Sequence, residues 1–518
     1  MAEEKSVDAE VVESARSSFP PLASGLTLGA VVHEGACHPE PLVGIPLGML
    51  NRHGLIAGAT GTGKTKTLQV MAEQLSAAGV PVFLADVKGD VSGIAAPGES
   101  NSRIDQRAND IGFDWVASGF PVEFLSLTGR LGAQLRATVS SFGPLLLAKV
   151  LGLNDTQTSV LTLVFKYCDD KGLPLLDFAD LRTVLQYLSD AGSDELKDYG
   201  GMSKQTVGVL LREMVSLEQL GASEFFGEPE FDLDDLLRTT PDGKGVISAL
   251  ELSDVQDRPE AFSTFMMWML ARLYATLPEA GDLDKPRLVF FFDEAHLLFK
   301  DSSKEFRAQV EQVVRLIRSK GVGIFFVTQS PRDVPADILG QLGNRVQHAL
   351  RAFTPDDEKA LRSAARTFPK TNFYDVQATL TTLGTGEALV TVLRANGTPT
   401  PPFATRILPP ASRMGPLTEQ EMMARLGASE QVREYAKAVD RESAHERLTA
   451  RMEAAREEAE AAAKADTDAP SSRRRSSSRK EPPSTFDKIL KSPVARTVAG
   501  VVTRGLMGAL LGSTRRRR

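Results

Sequence analysis

The run Gly58-Ala-Thr-Gly-Thr-Gly63-Lys64-Thr65 lies between the apolar stretch Gly54 to Ala57 and a helix-patterned stretch from Lys66 to Ala78, and it constrains this chain more than any other feature. Glycines in such a loop let successive backbone N–H groups face one point at the positive end of a helix, which makes a cradle for phosphate oxygens. Gly58, Ala59, Thr60, Gly61, Thr62, Gly63, Lys64, Thr65 and Lys66 are the expected nucleotide-binding residues, with Lys64 on the β- and γ-phosphates and Thr65 on the Mg²⁺ that accompanies ATP. The flanking strand and helix argue against a mere glycine-rich turn.

Short unbroken apolar runs are what strands buried on both faces of a parallel sheet look like. They recur at His53 to Ala57, Val80 to Ala85, Val122 to Leu127, Val246 to Leu250, Leu288 to Phe292, Gly323 to Val327, Val346 to Arg351 and Ala388 to Leu393. The expected fold is therefore α/β, with a core over 41–410 preceded by an N-terminal lead-in, 1–40. Between 142 and 235 the apolar spacing changes to a helical period, as in Leu181, Val184, Leu185 and Leu188, which marks a helical insertion. Such an insertion is either a packing cap or a surface that contacts a partner or substrate. After Pro410 comes a charged helical extension, 411–464, within which Glu430 to Lys464 reads as one Ala-rich helix. A Ser/Arg/Pro-rich disordered linker, 465–485, leads to a basic amphipathic helix, 486–518. In that helix Leu490, Val494, Val498 and Val501 share an arc of about 80°, and it suits docking to a protein partner or to a membrane surface.

A second constellation supplies chemistry. Arg287-Leu-Val-Phe-Phe-Phe-Asp293-Glu294 is a buried strand ending in two carboxylates. Next to a phosphate loop, one carboxylate serves the Mg²⁺ shell and the other polarises the attacking water, so Asp293 is the metal-side residue and Glu294 the general base. The competing reading is a pair of acids capping the next helix. A third strand ends at Thr328 and Gln329, where an amide can sense the γ-phosphate. Arg318, Arg345 and Arg351 flank that strand or the next, and are candidates for an arginine that stabilises the transferred phosphoryl group, commonly from a neighbouring subunit. His296 reads as a packing or hydrogen-bonding residue. Asp86 and Asp90 serve equally as turn residues or as neighbours of the nucleotide.

Charge and cysteine usage limit the setting. The net charge is −7, but Arg473 to Arg518 carries thirteen Lys/Arg against Glu481 and Asp487, a net +11 that leaves −18 for the remainder. Any nucleic-acid surface on that acidic remainder must be local. Two cysteines and an acidic start without an apolar stretch fit a reducing cytoplasm.

The ordered set His53 to Thr65, Asp86-Val-Lys-Gly-Asp90, Phe292-Asp-Glu-Ala-His296, Gly321 to Pro331 and Leu383-Gly-Thr-Gly-Glu-Ala-Leu389 resembles the HerA-like branch of the HerA/FtsK ATPases. Within that branch it is most similar to the bacterial YjgR group, including the glycine-rich, arginine-ended tail. The resemblance runs from Pro41 to Arg518. It implies a RecA-like P-loop core with a catalytic glutamate, a homo-oligomer built as a hexameric ring with ATP sites between subunits, and double-stranded DNA as the substrate moved. It also implies an N-terminal β-barrel that docks a nuclease. Only about fifty residues precede the loop here, which speaks against a nuclease partner. A nucleotide-switched scaffold that acts on a protein partner or membrane surface is the competing expectation.

Overall fold

The computed structural model describes residues 2–19, 25–281, 283–299 and 304–467. The expected linker and basic tail lie outside these from residue 468 on. The chain divides into two compact units. One comprises Met1–Arg136 with Pro229–Ala438, and the other Ala137–Glu228 with the chain from Val439 onward.

The first unit is built on twelve strands: β1 (Gly25–His33), β2 (Ala36–Pro46), β3 (Gly54–Ala57), β4 (Val82–Asp86), β5 (Val122–Ser126), β6 (Ala133–Gln134), β7 (Ile247–Glu251), β8 (Leu288–Phe292), β9 (Val322–Thr328), β10 (Asn344–His348), β11 (Glu387–Thr391) and β12 (Phe403–Ile407). They form one sheet in the order β2-β1-β12-β11-β10-β3-β9-β8-β4-β7-β5-β6. From β10 to β6 every neighbouring pair is parallel, and from β2 to β10 every pair is antiparallel. β2 carries the sheet across the expected lead-in boundary at residue 40, because β1 hydrogen-bonds to β12.

The central strands are short because they are covered on both faces. All residues of β3, β4, β7, β8 and β9 are buried. Aromatic rings pack across them in register: Phe291 on Phe325 at 5.4 Å between centroids, Phe292 on Phe326 at 5.6 Å and Phe83 on Phe290 at 4.9 Å. Such ring pairs add to the apolar burial that holds the sheet. Strand ends mostly fall within a residue or two of the sequence expectation. β10 is the consequential exception, stopping at His348 so that Arg351 lies in the loop beyond it.

The second unit is helical. Asp155–Lys171 and Phe178–Ser189 begin with reciprocal capping boxes, Asn154 with Gln157 and Asp177 with Asp180, each satisfying two otherwise orphaned backbone donors. The single helix expected over Glu430 to Lys464 is instead two, Glu430–Tyr435 and Ala444–Thr467. The break follows from tethers that charge patterning does not reveal. The buried Tyr435 hydroxyl donates to Asp235 Oδ2 at 3.0 Å and accepts the Asp232 N–H. Further on, Val439 N–H donates to Glu228 O, and Ser443 recaps the chain through Glu446. The second helix then packs on Phe178–Ser189, with His445 bonded to the Thr183 hydroxyl. Among the described residues no helix is long and apolar enough to cross a membrane.

Candidate nucleotide site

The phosphate loop leaves β3 between two neighbours that fix its first turns. Gly58 N–H donates to Thr328 O at the end of β9, and Ala59 N–H to Ala349 O just past β10. No side chain fits at Gly58, where an added Cβ would lie 2.5 Å from His348 Cβ. Gly63, at φ 114°, turns the chain into the helix Lys64–Ala77, a backbone conformation open to glycine. Thr62 ties the loop internally by donating its hydroxyl to Ala59 O at 2.7 Å. Its carbonyl accepts Gly386 N–H at 2.8 Å, and the Gly386 carbonyl in turn accepts from Ile407 N–H and Arg107. Beneath the loop His348 is fully buried. Its Nδ1–H donates to Glu387 O at 2.9 Å, so Nε2 accepts from the Thr67 hydroxyl at 2.8 Å. Burial, aided by the Lys64 charge, holds its pKa down at about 4, so the ring is neutral.

Lys64 is buried and donates from Nζ to Ala59 O at 3.1 Å. Thr60 and Gly61 are exposed and Thr65 is half-buried. Lys66 turns away from the loop to Gln69 Oε1 and the Met414 carbonyl.

β9 lies between β3 and β8, so the tip of β8 comes beside the loop with one strand intervening. Asp293 is 3% exposed and its Oδ2 has no hydrogen-bond partner among the described residues. Burial, then the charges of Glu294, Asp86 and Asp90, push its pKa up to about 7. Glu294 sits in the left-handed region at φ 46°, a costly conformation for a non-glycine residue that concentrates at functional sites. Burial works to raise its pKa, but the hydrogen bond and charge of Lys88, with His296 and Lys64, hold it below the ordinary carboxylate value. Lys88 Nζ is bonded to Glu294 Oε1, and His296 Nδ1 stands 3.3 Å from Oε2 without hydrogen-bond geometry. Lys64 answers in kind: burial lowers its pKa while Glu294 and Asp293 pull the other way. Lys64, Asp293 and Glu294, distant in sequence, thus sit within one another's fields.

Asp86 ends β4 and organises the turn after it, accepting N–H groups from Lys88, Gly89 and Val91 at 3.1, 2.8 and 2.8 Å. Asp86, Asp90 and Asp293 each bring a carboxylate oxygen to within 4.8 Å of the others. Glu251 stands opposite Asp86 on β7, and burial together with Asp86, Asp254 and Asp90 raises its pKa to about 8. Sequence reasoning assigned no role to Glu251 or Lys88. The available signals were a carboxylate directly after an apolar strand and a lysine between two aspartates. An orphaned, buried carboxylate oxygen on Asp293 and the Thr65 hydroxyl at a helix start are hard oxygen donors that suit Mg²⁺.

A cavity of about 400 Å³ opens beside the loop, lined by Ala59, Thr60, His296, Gln329, Arg351 and Asp333 among others. Gln329 is exposed at its wall. Asp333 fixes the turn after β9 by accepting from the Thr328 hydroxyl and Ser330 N–H at 2.6 and 2.9 Å. Of the three candidate arginines only Arg351 lines this cavity. Arg345 lies toward the edge where the parallel strands begin, level with Leu55, and donates to Thr367 O, Leu339 O and Leu342 O. Arg318 sits in the turn entering β9, where its charge helps depress His53. Neither points toward the loop of its own chain.

A parallel sheet with the phosphate loop after β3, paired carboxylates after β8 and a polar-tipped strand between them defines the class, a RecA-like P-loop ATPase. The helicase HerA-like C-terminal family matches residues 33–518, and the chain belongs to that family. The DNA double-strand break repair helicase HerA of Sulfolobus acidocaldarius is 23% identical over 383 residues, 71% of this chain and 69% of that protein. Its counterpart from Sulfurisphaera tokodaii is 24% identical over 380 residues, with the same coverage. Among solved structures, the conjugative coupling protein TrwB in its unbound form aligns with a TM-score of 0.49 at 13% identity, covering 78% of this chain and 94% of TrwB. VirB4 of Thermoanaerobacter pseudethanolicus aligns at 0.42 and 15% identity, covering 77% and 98%.

Proposed function

We propose that this protein is an Mg²⁺-dependent ATP hydrolase that works as a ring-forming motor on double-stranded DNA. The observation that carries the chemistry is the convergence of Lys64, Asp293 and Glu294 on one end of the parallel sheet. Lys64 holds the β- and γ-phosphates against loop N–H groups. Glu294, kept ionised by Lys88, His296 and Lys64, orients a water and accepts its proton, and Gln329 reads the γ-phosphate from the cavity wall. Thr65 and Asp293 would hold Mg²⁺, which would supply charge neutralisation on the phosphates. Arg351, which lines the cavity, is the arginine a nucleotide bound there would meet, whereas Arg318 and Arg345 lie away from the loop of their own chain.

DNA as the substrate draws its support from the relatives named as DNA double-strand break repair helicases, while a hexameric ring and membership of the YjgR group rest on the motif order. The acidic remainder of the chain favours a second reading, in which turnover switches assembly with a protein partner or membrane surface through the basic tail. ATPase rates with and without duplex DNA at two salt concentrations separate the two. Stimulation that fades with salt supports the motor. A rate indifferent to DNA, with partner or liposome binding lost on removing 486–518, supports the switch.

A further inference from the structure

Four carboxylates gather at the tips of β4, β7 and β8, beside the position given to the nucleotide but not explained by it. Asp86, Glu251 and Asp293 are buried and Asp90 is half-buried, and none of the four has an ion-pair partner among the described residues. The neighbouring cations act on them only from beyond ion-pair distance, since Lys64 is bonded to Ala59 O, Lys88 to Glu294, and Lys66 to Gln69 and the Met414 carbonyl. Like charges this close in a poorly hydrated site repel strongly. A bound cation would relieve that repulsion.

We propose that Asp86, Asp90 and Asp293 form a divalent-cation site of their own, with Glu251 behind it, that fills in the absence of nucleotide. Three oxygens from a strand end, the turn beyond it and the neighbouring strand end lie within 4.8 Å of one another. That span suits ligands around a single hard ion, since metal–oxygen distances of about 2.0–2.6 Å put ligands on opposite sides about 4–5 Å apart. The turn is already rigid, because Asp86 accepts three backbone N–H groups.

Two further observations point to a ligand. Asp293 Oδ2 is buried without a hydrogen-bond partner. Glu251, 3% exposed, presents a second such oxygen, Oε1, while its Oε2 lies under Gly89 of the turn, 3.6 Å from where a Cβ there would stand. All-oxygen donors select Mg²⁺, Mn²⁺ or Ca²⁺ over thiophilic metals. The site draws on Asp86 and Asp90 where the nucleotide's Mg²⁺ draws on Thr65. It shares Asp293 with that ion, and so keeps this carboxylate charged and oriented before ATP arrives.

The test is a Mn²⁺ titration of the nucleotide-free, full-length protein, followed by the loss of the free-ion paramagnetic resonance signal. One Mn²⁺ per chain is expected in the wild type and in Lys64→Ala, with affinity at least tenfold weaker in Asp90→Asn. Unchanged thermal melting of Asp90→Asn in chelator would show that it folds. Wild-type protein that leaves Mn²⁺ free, or an Asp90→Asn variant that binds it as tightly, overturns the site. ATP retained by Lys64→Ala would instead count against the nucleotide reading alone.

Discussion

The parallel strands of the first unit begin at one edge of the sheet and end at the other, and the two edges handle buried polarity in opposite ways. At the beginning edge, polar side chains are consumed by backbone. Arg345 donates to three carbonyls, Asn344 Nδ2 to Met49 O and His53 O, and His53 Nδ1 accepts Ile324 N–H. His53 keeps a partnerless Nε2, but burial depresses its pKa to about 4 and the ring carries no charge. At the ending edge, buried carboxyl oxygens of Asp293 and Glu251 are left without partners among the described residues, and a strained Glu294 is held by a lysine that is 48% exposed. Stability is built at one edge, and at the other it is given up for chemistry.

Substitutions can break that contrast. The largest effect belongs to the ending edge. Lys64→Ala should abolish ATP binding, measured by calorimetry, and Glu294→Gln should bind ATP while its turnover falls about 100-fold or more in steady-state assays. Wild-type turnover by the glutamine variant would remove Glu294 from its role. At the beginning edge the same kind of change should act on the fold. Arg345→Ala should lower unfolding free energy by about 2–3 kcal/mol in denaturant titrations, through hydrogen bonds lost by a charged group, with turnover per folded molecule retained. A collapse of turnover in well-folded protein would return Arg345 to the catalytic candidates.

Histidines sharpen the contrast because they should ignore it. His53 and His348 lie at opposite edges, yet burial lowers both to about 4. The unfolded chain takes up its proton first, near 6.5, so stability is full above that pH and is lost as pH falls toward 4. The loss is on the order of 2 kcal/mol per ring between pH 7 and pH 5. The stability difference between wild type and His348→Gln should shrink by about that amount over this range. A difference that does not change with pH would mean the ring titrates in the folded protein as it does in the unfolded chain.

The last effect has the opposite sign. Glu251→Gln, in chelator without nucleotide, should stabilise the protein at pH 8 by removing a buried charge, by on the order of 4 kcal/mol for a carboxyl raised to about 8. A carboxyl raised to about 8 binds an extra proton in the folded state, so its stabilising protonation is complete at low pH and is lost as pH rises through 8. The gain from Glu251→Gln should accordingly shrink as pH falls and vanish only near pH 4, below the carboxyl's value in the unfolded chain, as thermal melts would register.

Much of this was legible in the chain because burial on both faces writes itself as unbroken apolar runs. β8 was readable from Leu288 to Phe292, and the two acids that end the run marked its tip as a candidate site. The polar tip of β9 was readable for the same reason. Partnership across strands was not. β7 beside β4 brings Glu251 to Asp86, and nothing in either run announces that neighbour. Lys88 was visible between two aspartates, but its partner lies 206 residues away. The arginines turned on a strand end: β10 stops at His348, which leaves Arg351 in the loop at the cavity and Arg345 inside the strand. The helix expected across 430–464 failed because charge spacing marks helical faces and says nothing of a tyrosine anchored to a distant aspartate.

The amide that Gly386 gives to Thr62 makes the phosphate loop part of the β11–β12 ribbon. His348, bonded to Glu387 O on one side and to the Thr67 hydroxyl on the other, is a second fastening between the same two parts. A displacement of the ribbon would therefore be passed to the loop at two points.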